Sequence, residues 1–398
     1  MNILLLVDDF LPSQKSAPLL MHYLASALSH KGHHVVLLTP AGQWRTCHND
    51  TKDGYEVFRF PSGKLKNISH FRRAINESLL PWGLLWCYLF HHKIFKKAQL
   101  LIAYSPTIFW GPFNGLLKLF SGITTYLILR DIFPQWAIDD GILRKHSLIT
   151  WYFRFFEKWN YLFSDKIAVE MPKNLNYFKH SVFQKKTTVL YNWFDTSEPL
   201  LFDSSIRTKY GLEEKVVFLY GGNLGLAQDM DNLMRLARVM KDYPQAHFLF
   251  VGAGDAYSLI EQRIAEWALS NVTLRPSVSQ EDYYKLLSQC DVGLLSLHPN
   301  HTLNNLPGKA LGYMAYGKPI LASLNQGNDL LSILHEHNAG LCSVNPDDSL
   351  LLSNAVRLLD ASTRTLLGTN ARHLLESKFN VNSIAQTILK DSGIVNIS

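Results

Sequence analysis

Short apolar runs alternate with amphipathic stretches along nearly the whole chain. Apolar runs bounded by Gly, Pro, Asn or Asp predict buried strands, and the periodic stretches between them predict helices. In the first half the predicted strands are Ile3–Val7, Val35–Thr39, Tyr55–Phe60, Gln99–Tyr104, Thr125–Leu129, Lys166–Glu170 and Thr188–Tyr191. In the second half they are Val216–Gly221, His247–Gly252, Val272–Arg275, Val292–Leu297, Pro319–Ala322 and Gly340–Val344. Strands that are apolar throughout are covered on both faces, which predicts parallel sheets between layers of helices. The two series therefore predict an α/β chain of two doubly wound parallel-sheet domains. A break is expected at Asn192–Pro199, which follows a strand, lacks helical period and ends in proline. The expected boundaries are 1–195, 196–375 and a C-terminal segment, 376–398, whose helix packs back toward the first domain.

Length and composition agree with this division. At 398 residues the chain exceeds what one hydrophobic core usually organises. Hydrophobic residues at 47% and charged residues at 18% exclude a disordered chain. The net charge of +6, from 39 basic and 33 acidic residues, suits an anionic ligand or a membrane surface and is too diffuse to argue for nucleic acid. The longest apolar stretch, Leu79–Phe90, has twelve residues, too few to span a bilayer. The N-terminus enters a strand without a basic leader, so a cytoplasmic chain is expected. Cys47, Cys87, Cys290 and Cys342 form no CxxC pair, which argues against a zinc ribbon or disulfide framework.

Two aromatic stretches stand out in the first half. Trp151–Trp159 reads as core packing. Leu79–Lys97, with Lys93, Lys96 and Lys97 at its end and Arg72 and Arg73 before it, reads equally as core and as a contact with anionic lipid.

The strongest local chemistry lies at Tyr220-Gly221-Gly222-Asn223-Leu224-Gly225, where a strand runs through glycines into a helix. Gly222 lets a ligand approach the backbone, and the helix N-terminus beyond offers N–H groups to phosphate. Asn223 and Gln228 add neutral donors. An ordinary strand–helix turn capped by Asp229 or Asp231 is the plainer reading. Asp229-Met230-Asp231 also imitates a DxD metal motif, but acidic residues are expected where a helix opens. Gly252-Ala253-Gly254 ends the next strand and begins a GxGxxG fingerprint that Tyr257 interrupts. Pro307-Gly308 opens a helix with Lys309 in its first turn, where a cation opposes the helix dipole unless an anion sits there. A solvated lysine is the alternative. The later Gly312–Lys318 resembles a P-loop only superficially, because its order is helix then strand.

In the first half, Leu129-Arg130-Asp131 and Tyr104-Ser105 end strands, and Arg130, Asp131 and Ser105 become candidates for a shared site. Lys15 and Ser16, after the first strand, could meet an anionic group or belong to a plain loop. His335-Glu336-His337 has the wrong spacing for a metal-binding helix face, and no metal site is expected.

Together these residues resemble glycosyltransferase family 4, with its GT-B fold of two facing Rossmann-like domains. The resemblance runs through Ile3–Phe10, Gly32–Val36, Tyr220–Leu233, Val251–Asp255 and Pro307–Pro319. The strings Leu129–Pro134, Leu190–Asp195 and Gly222–Gly225 are similar to a subset of bacterial surface-polysaccharide transferases, including L-fucosamine transferases. The broad family has Arg and Lys where this chain has Asn223 and Gln228. It has two glutamates where this chain has Asn304 and Gly312, which leaves Asn304, Asn305 or a neighbour to replace the ribose-binding carboxylate. Its usual first-domain histidine is replaced by Arg130.

The resemblance implies a retaining glycosyltransferase that uses a nucleotide-diphosphate sugar, a UDP-sugar foremost and UDP-N-acetyl-L-fucosamine among them. Gly222, Asn223, Gln228, Pro307, Gly308 and Lys309 are then expected at the diphosphate, with Gly252, Gly254 and Val278 flanking the nucleoside. Asp131 is expected to orient the acceptor hydroxyl beside Arg130 and Ser105. No metal or other cofactor is implied. The implied acceptor is a polyprenyl-diphosphate-linked saccharide at the inner leaflet, which places the enzyme peripherally on that membrane in O-antigen or capsule synthesis. The rivals are a sugar-nucleotide epimerase of the same fold, a nicotinamide-dependent dehydrogenase and a catalytically degenerate partner subunit.

Overall fold

The computed structural model describes residues 1–13, 16–44, 48–66, 68–139, 141–197, 200–300 and 304–393. The chain divides into two compact units, the first made of Met1–Asn192 with the helix Val381–Asp391 and the second of Trp193–Asn380.

The first unit contains β1 (Asn2–Leu6), β2 (His34–Pro40), β3 (His48–Lys52), β4 (Tyr55–Phe60), β5 (Leu100–Tyr104), β6 (Thr124–Leu129), β7 (Lys166–Val169) and β8 (Thr187–Val189). They form one sheet in the order β3-β4-β2-β1-β5-β6-β7-β8, with only β3 antiparallel to its neighbour. The second unit contains β9 (Val216–Asn223), β10 (Ala246–Ala253), β11 (Val272–Arg275), β12 (Val292–Ser296), β13 (Ile320–Leu324) and β14 (Gly340–Val344). Its sheet is parallel throughout, in the order β11-β10-β9-β12-β13-β14.

Every strand read from the apolar runs is present, within a few residues at its ends. The exception is β3, which the sequence reading missed. It is a polar edge strand, His-Asn-Asp-Thr-Lys, and its signal lies in the turn instead. Asp53 and Gly54 both take positive φ (45° and 84°) and fold it back on β4 as a hairpin.

Right-handed crossovers fix the layers. From β1 the chain moves one way along the sheet to β2, through the helix Ser16–His30. From β4 to β5, β5 to β6 and β6 to β7 it moves the other way, so the helices Leu80–Phe90, Gly111–Ser121 and Leu148–Leu162 share the opposite face. Leu4, Leu6, Leu101 and Leu127 meet Leu84, Phe113 and Tyr161 in that core. On the other face the helix Val381–Asp391 packs on Ser16–His30, and the Tyr126 hydroxyl donates to Asp391 Oδ2 at 3.3 Å.

The second core is sheet-centred too. Phe218 lies opposite Phe248 in register, their rings stacked 5.0 Å apart, and Leu233, Met234 and Ile260 close over the sheet from flanking helices.

The reading of Trp151–Trp159 as core packing is corrected here. Phe153 is buried, but Trp151 and Phe155 on the same helix are exposed, because the sheet needs only one side of Leu148–Leu162. Among the described residues no helix is long and apolar enough to cross a membrane.

Candidate functional site

In a doubly wound sheet, ligands bind beyond the carboxyl ends of the strands, where the strand order reverses. In the second unit that point lies between β9 and β12. The chain goes from β9 to β10 on one side and later returns to β12 on the other. Most of the candidates from this half of the sequence gather at that edge.

The glycines there are demanded by backbone approach. A Cβ on Gly252 would stand 1.8 Å from the Gly222 carbonyl oxygen, and one on Gly254 would stand 2.4 Å from the Leu224 carbonyl. Gly222 itself has φ of +104°, which side chains rarely adopt. Beneath the turn, the buried Tyr313 hydroxyl donates to the Leu219 carbonyl (3.1 Å) and accepts from Gly221 N–H (3.4 Å). That phenol was missed in the sequence, because nothing local marks a helical tyrosine as the brace of a loop ninety residues earlier.

Asn223 and Gln228 lie side by side and are partly consumed by each other. The Gln228 Oε1 accepts from Asn223 Nδ2 (3.0 Å) and from Gly225 N–H (3.1 Å). Gln228 thus braces the turn with its oxygen, leaving its own amide donors for a ligand. Val278 is exposed in the loop after β11, at the same sheet edge.

From the far side of the switch point comes the helix Gly308–Ala315, with Pro307 at its N-cap. Its first-turn amides point outward at its N-terminus. Lys309 reaches back over the glycine turn, its Nζ 3.6 Å from the centroid of the Tyr220 ring. Among the described residues no carboxylate is paired with it. Burial alone lowers its pKa from 10.5 to about 7. A poorly hydrated cation beside a helix N-terminus and a glycine turn has the chemistry to accept an anion.

Asn304 stands in the loop before Pro307. It is buried, and its Oδ1 accepts from Asp329 N–H at 3.2 Å, tying the loop to the helix Asp329–Glu336. The neighbouring Asn305 Oδ1 is buried without a hydrogen-bond partner among the described residues, which leaves it able to accept from a ligand hydroxyl. The two acids of the DxD-like string are both engaged by protein. Asp229 caps the helix Met230–Val239 and accepts from Asn345 Nδ2 at 2.8 Å, and Asp231 pairs with Arg235 and Arg263.

In the first unit the corresponding switch point lies between β1 and β5. Asp8 follows β1, Ser105 follows β5 and Asp131 follows β6. Ser105 is buried rather than lining an open surface, and its Oγ accepts from Arg130 N–H at 2.8 Å. The Arg130 guanidinium donates to the Leu190 and Tyr191 carbonyls at 2.7 and 3.3 Å, so it fastens the loop after β8. The same Ser105 Oγ accepts from the Asp131 N–H at 3.5 Å. Asp131 keeps open surface, yet the protein crowded around it strips enough water to raise its pKa, and the Asp8 carboxylate raises it further against the pull of Arg130.

Asp8 is the residue the sequence reading underused. Burial pushes its carboxyl above the usual range, opposed by Lys66 at 3.5 Å. Its signal was present, since two acids directly after the first strand stand at the sheet edge. Ser16 is exposed as the first residue of its helix, and Lys15 lies outside the described residues.

Comparison with known proteins agrees with this geometry. Residues 215–361 match the family described as Glycosyl transferases group 1. Two relatives span most of the chain. WbjE of Pseudomonas aeruginosa, named as a glycosyltransferase, is 24% identical over 81% of this chain and 80% of its own. WcaI of Escherichia coli strain K12, named as a glycosyl transferase of colanic acid biosynthesis, is 23% identical over 73% of this chain and 75% of its own. Among solved structures, sucrose-phosphate synthase from Thermosynechococcus elongatus superposes with a TM-score of 0.74 at 18% identity, covering 98% of this chain and 97% of that one. HepE from Anabaena in complex with UDP superposes at 0.68 and 16% identity, covering 99% and 100%. The matched region of the second unit thus includes this sheet edge, and the chain is a glycosyltransferase with the GT-B fold.

Proposed function

We propose that this enzyme transfers a sugar from a UDP-sugar to a lipid-linked saccharide, with retention of configuration, in the assembly of a surface polysaccharide. The observation that carries the reading is the unpaired Lys309 ammonium, held beside the Gly222–Gly252 turn and the N-terminus of Gly308–Ala315. UDP in the solved HepE complex and the colanic acid role in the name of WcaI support the donor and pathway class. The family 4 resemblance supports retention and points to an N-acetyl-L-fucosamine donor.

In this reading the departing diphosphate develops charge that Lys309, the helix amides and the Gln228 amide meet without reorganising. The nucleoside lies against Gly252, Gly254 and Val278. Asp131 orients the acceptor hydroxyl, and the leaving phosphate takes its proton. The enzyme works on the cytoplasmic side of the membrane that holds its acceptor.

The test is a turnover assay. Purified protein with individual UDP-sugars and polyprenyl-diphosphate-linked saccharides should release UDP, and NMR of the product should show the donor's anomeric configuration kept. An inverted product would overturn retention, and release only with GDP-sugars would overturn the donor class.

A further inference from the structure

The helices covering one face of the first unit's sheet turn an apolar surface outward. Gly111–Ser121 packs against both Leu80–Phe90 and Leu148–Leu162, so closely that a Cβ on Gly111 would stand 2.5 Å from the Asn160 nitrogen. Their inward sides fill the core. Their outward sides expose Trp82 (65%) and Phe90 (66%) on the first helix, Phe120 (75%) on the second, and Leu148 (90%) and Trp151 (73%) on the third. A lone exposed leucine needs no explanation, but clustered apolar side chains on adjacent helices mark an interaction surface. Leu148, Trp151, Phe155 and Leu162 recur at helical spacing and are all exposed, so this helix presents a second apolar stripe opposite its core stripe.

Charge decides what covers it. The three helices contain a single carboxylate, Glu157, which is buried and bonded to Tyr177, Tyr161 and Arg154. Exposed basic residues crowd the margins: Lys93, Lys96 and Lys97 beyond the first helix, Arg144 and Lys145 before the third, and Lys158 on it. A second copy docked by the same face would bring like charges together. Indole and phenyl rings flanked by lysines, with Asp165 after the third helix half-buried and paired with Lys118, match the boundary between acyl chains and anionic headgroups.

We propose that this three-helix face docks on an anionic phospholipid bilayer, with Trp82, Phe120 and Trp151 entering the interfacial layer and the lysines contacting headgroup phosphates. The proposal extends the lipid-linked-acceptor reading, on which its biological purpose rests, but its contacts involve none of the donor-site residues.

The experiment is co-sedimentation of the full chain with vesicles of phosphatidylethanolamine and phosphatidylglycerol, beside vesicles of phosphatidylcholine alone. The chain should sediment with the anionic vesicles, less so at high salt. The combined W82S, W151S and F155S variant should partition at least about tenfold less. The K93Q, K96Q and K97Q variant should lose the salt-sensitive part. Both should titrate UDP as the parent does, which shows that they are folded. Absence of the parent from the anionic pellet, or equal partition of the aromatic variant, would overturn the proposal. So would a dimer in light scattering that the aromatic substitutions dissociate while vesicle partition stays the same. Vesicle binding by a chain that fails to bind UDP would leave this face standing and remove the UDP-sugar reading instead.

Discussion

The Lys309 ammonium lies 3.6 Å from the centre of the Tyr220 ring, while the Tyr220 hydroxyl is committed to the Asn223 carbonyl at 3.0 Å. The ring therefore offers the cation only its face. A cation–π contact of about 0.5–2 kcal/mol offsets little of the cost of taking an ammonium out of water. An anion bound beside this ammonium would offset the rest of that cost.

Lys309→Met should lower UDP affinity and turnover at least tenfold, about 1.4 kcal/mol or more in each. Its melting temperature should hold or rise, since a poorly hydrated amine has been replaced by an apolar side chain. Calorimetry and a thermal scan check both. Weaker UDP binding together with a large fall in melting temperature would make Lys309 a structural residue.

The pH dependence follows from the same residue. With its pKa lowered to about 7, the amine is increasingly neutral in the free protein above neutrality, and a bound diphosphate favours its charged form. UDP binding should therefore take up protons above pH 7, and affinity should fall as pH rises. For stability the sign is opposite. The unfolded lysine titrates near 10.5 and binds more protons than the folded one between about 7 and 10.5, so this group adds stability as pH rises through that window. Titrations in buffers of different ionisation enthalpy measure the uptake, which Lys309→Met should abolish.

Asp131→Asn should cut turnover at least about tenfold while leaving UDP affinity unchanged, because its role is with the acceptor. The carboxylate is the working form and its pKa is raised, so the parent's rate should fall as pH drops through a value above the ordinary carboxylate range. Full activity in the variant would leave Asp131 with no part in the chemistry.

Two glycines separate backbone demand from tolerance. Gly252→Ala drives a methyl to 1.8 Å from the Gly222 carbonyl oxygen, and the turn must open. A loss of about 1–3 kcal/mol in stability and a marked loss of UDP affinity should follow in chemical denaturation and calorimetry. Gly312→Ala meets nothing closer than Leu287 Cδ2 at 3.6 Å, and inside a helix it should stabilise by up to about 1 kcal/mol.

Much of this was legible in the sequence because two-sided burial makes parallel strands conspicuous. Val216–Gly221 and His247–Gly252 announce themselves as apolar runs, and Gly222 and Gly254 after them mark the carboxyl edge of the sheet. What stayed hidden depends on tertiary context. The polar strand His48–Lys52 exists only because Asp53-Gly54 turns it onto β4. The Leu190 carbonyl that Arg130 meets and the Asp329 amide that Asn304 meets lie far along the chain, and only the fold brings them together. Trp151 reads as core until the sheet is seen to use the other side of its helix.

In the proposed enzyme the edge of β9 holds a nucleoside diphosphate through Lys309. The direct measurement is calorimetric titration of the purified protein with UDP, GDP and NAD, repeated on Lys309→Ala. UDP should bind, the substitution should weaken that binding at least tenfold, and NAD should give no heat. NAD binding without UDP binding, or UDP binding indifferent to Lys309, would contradict this.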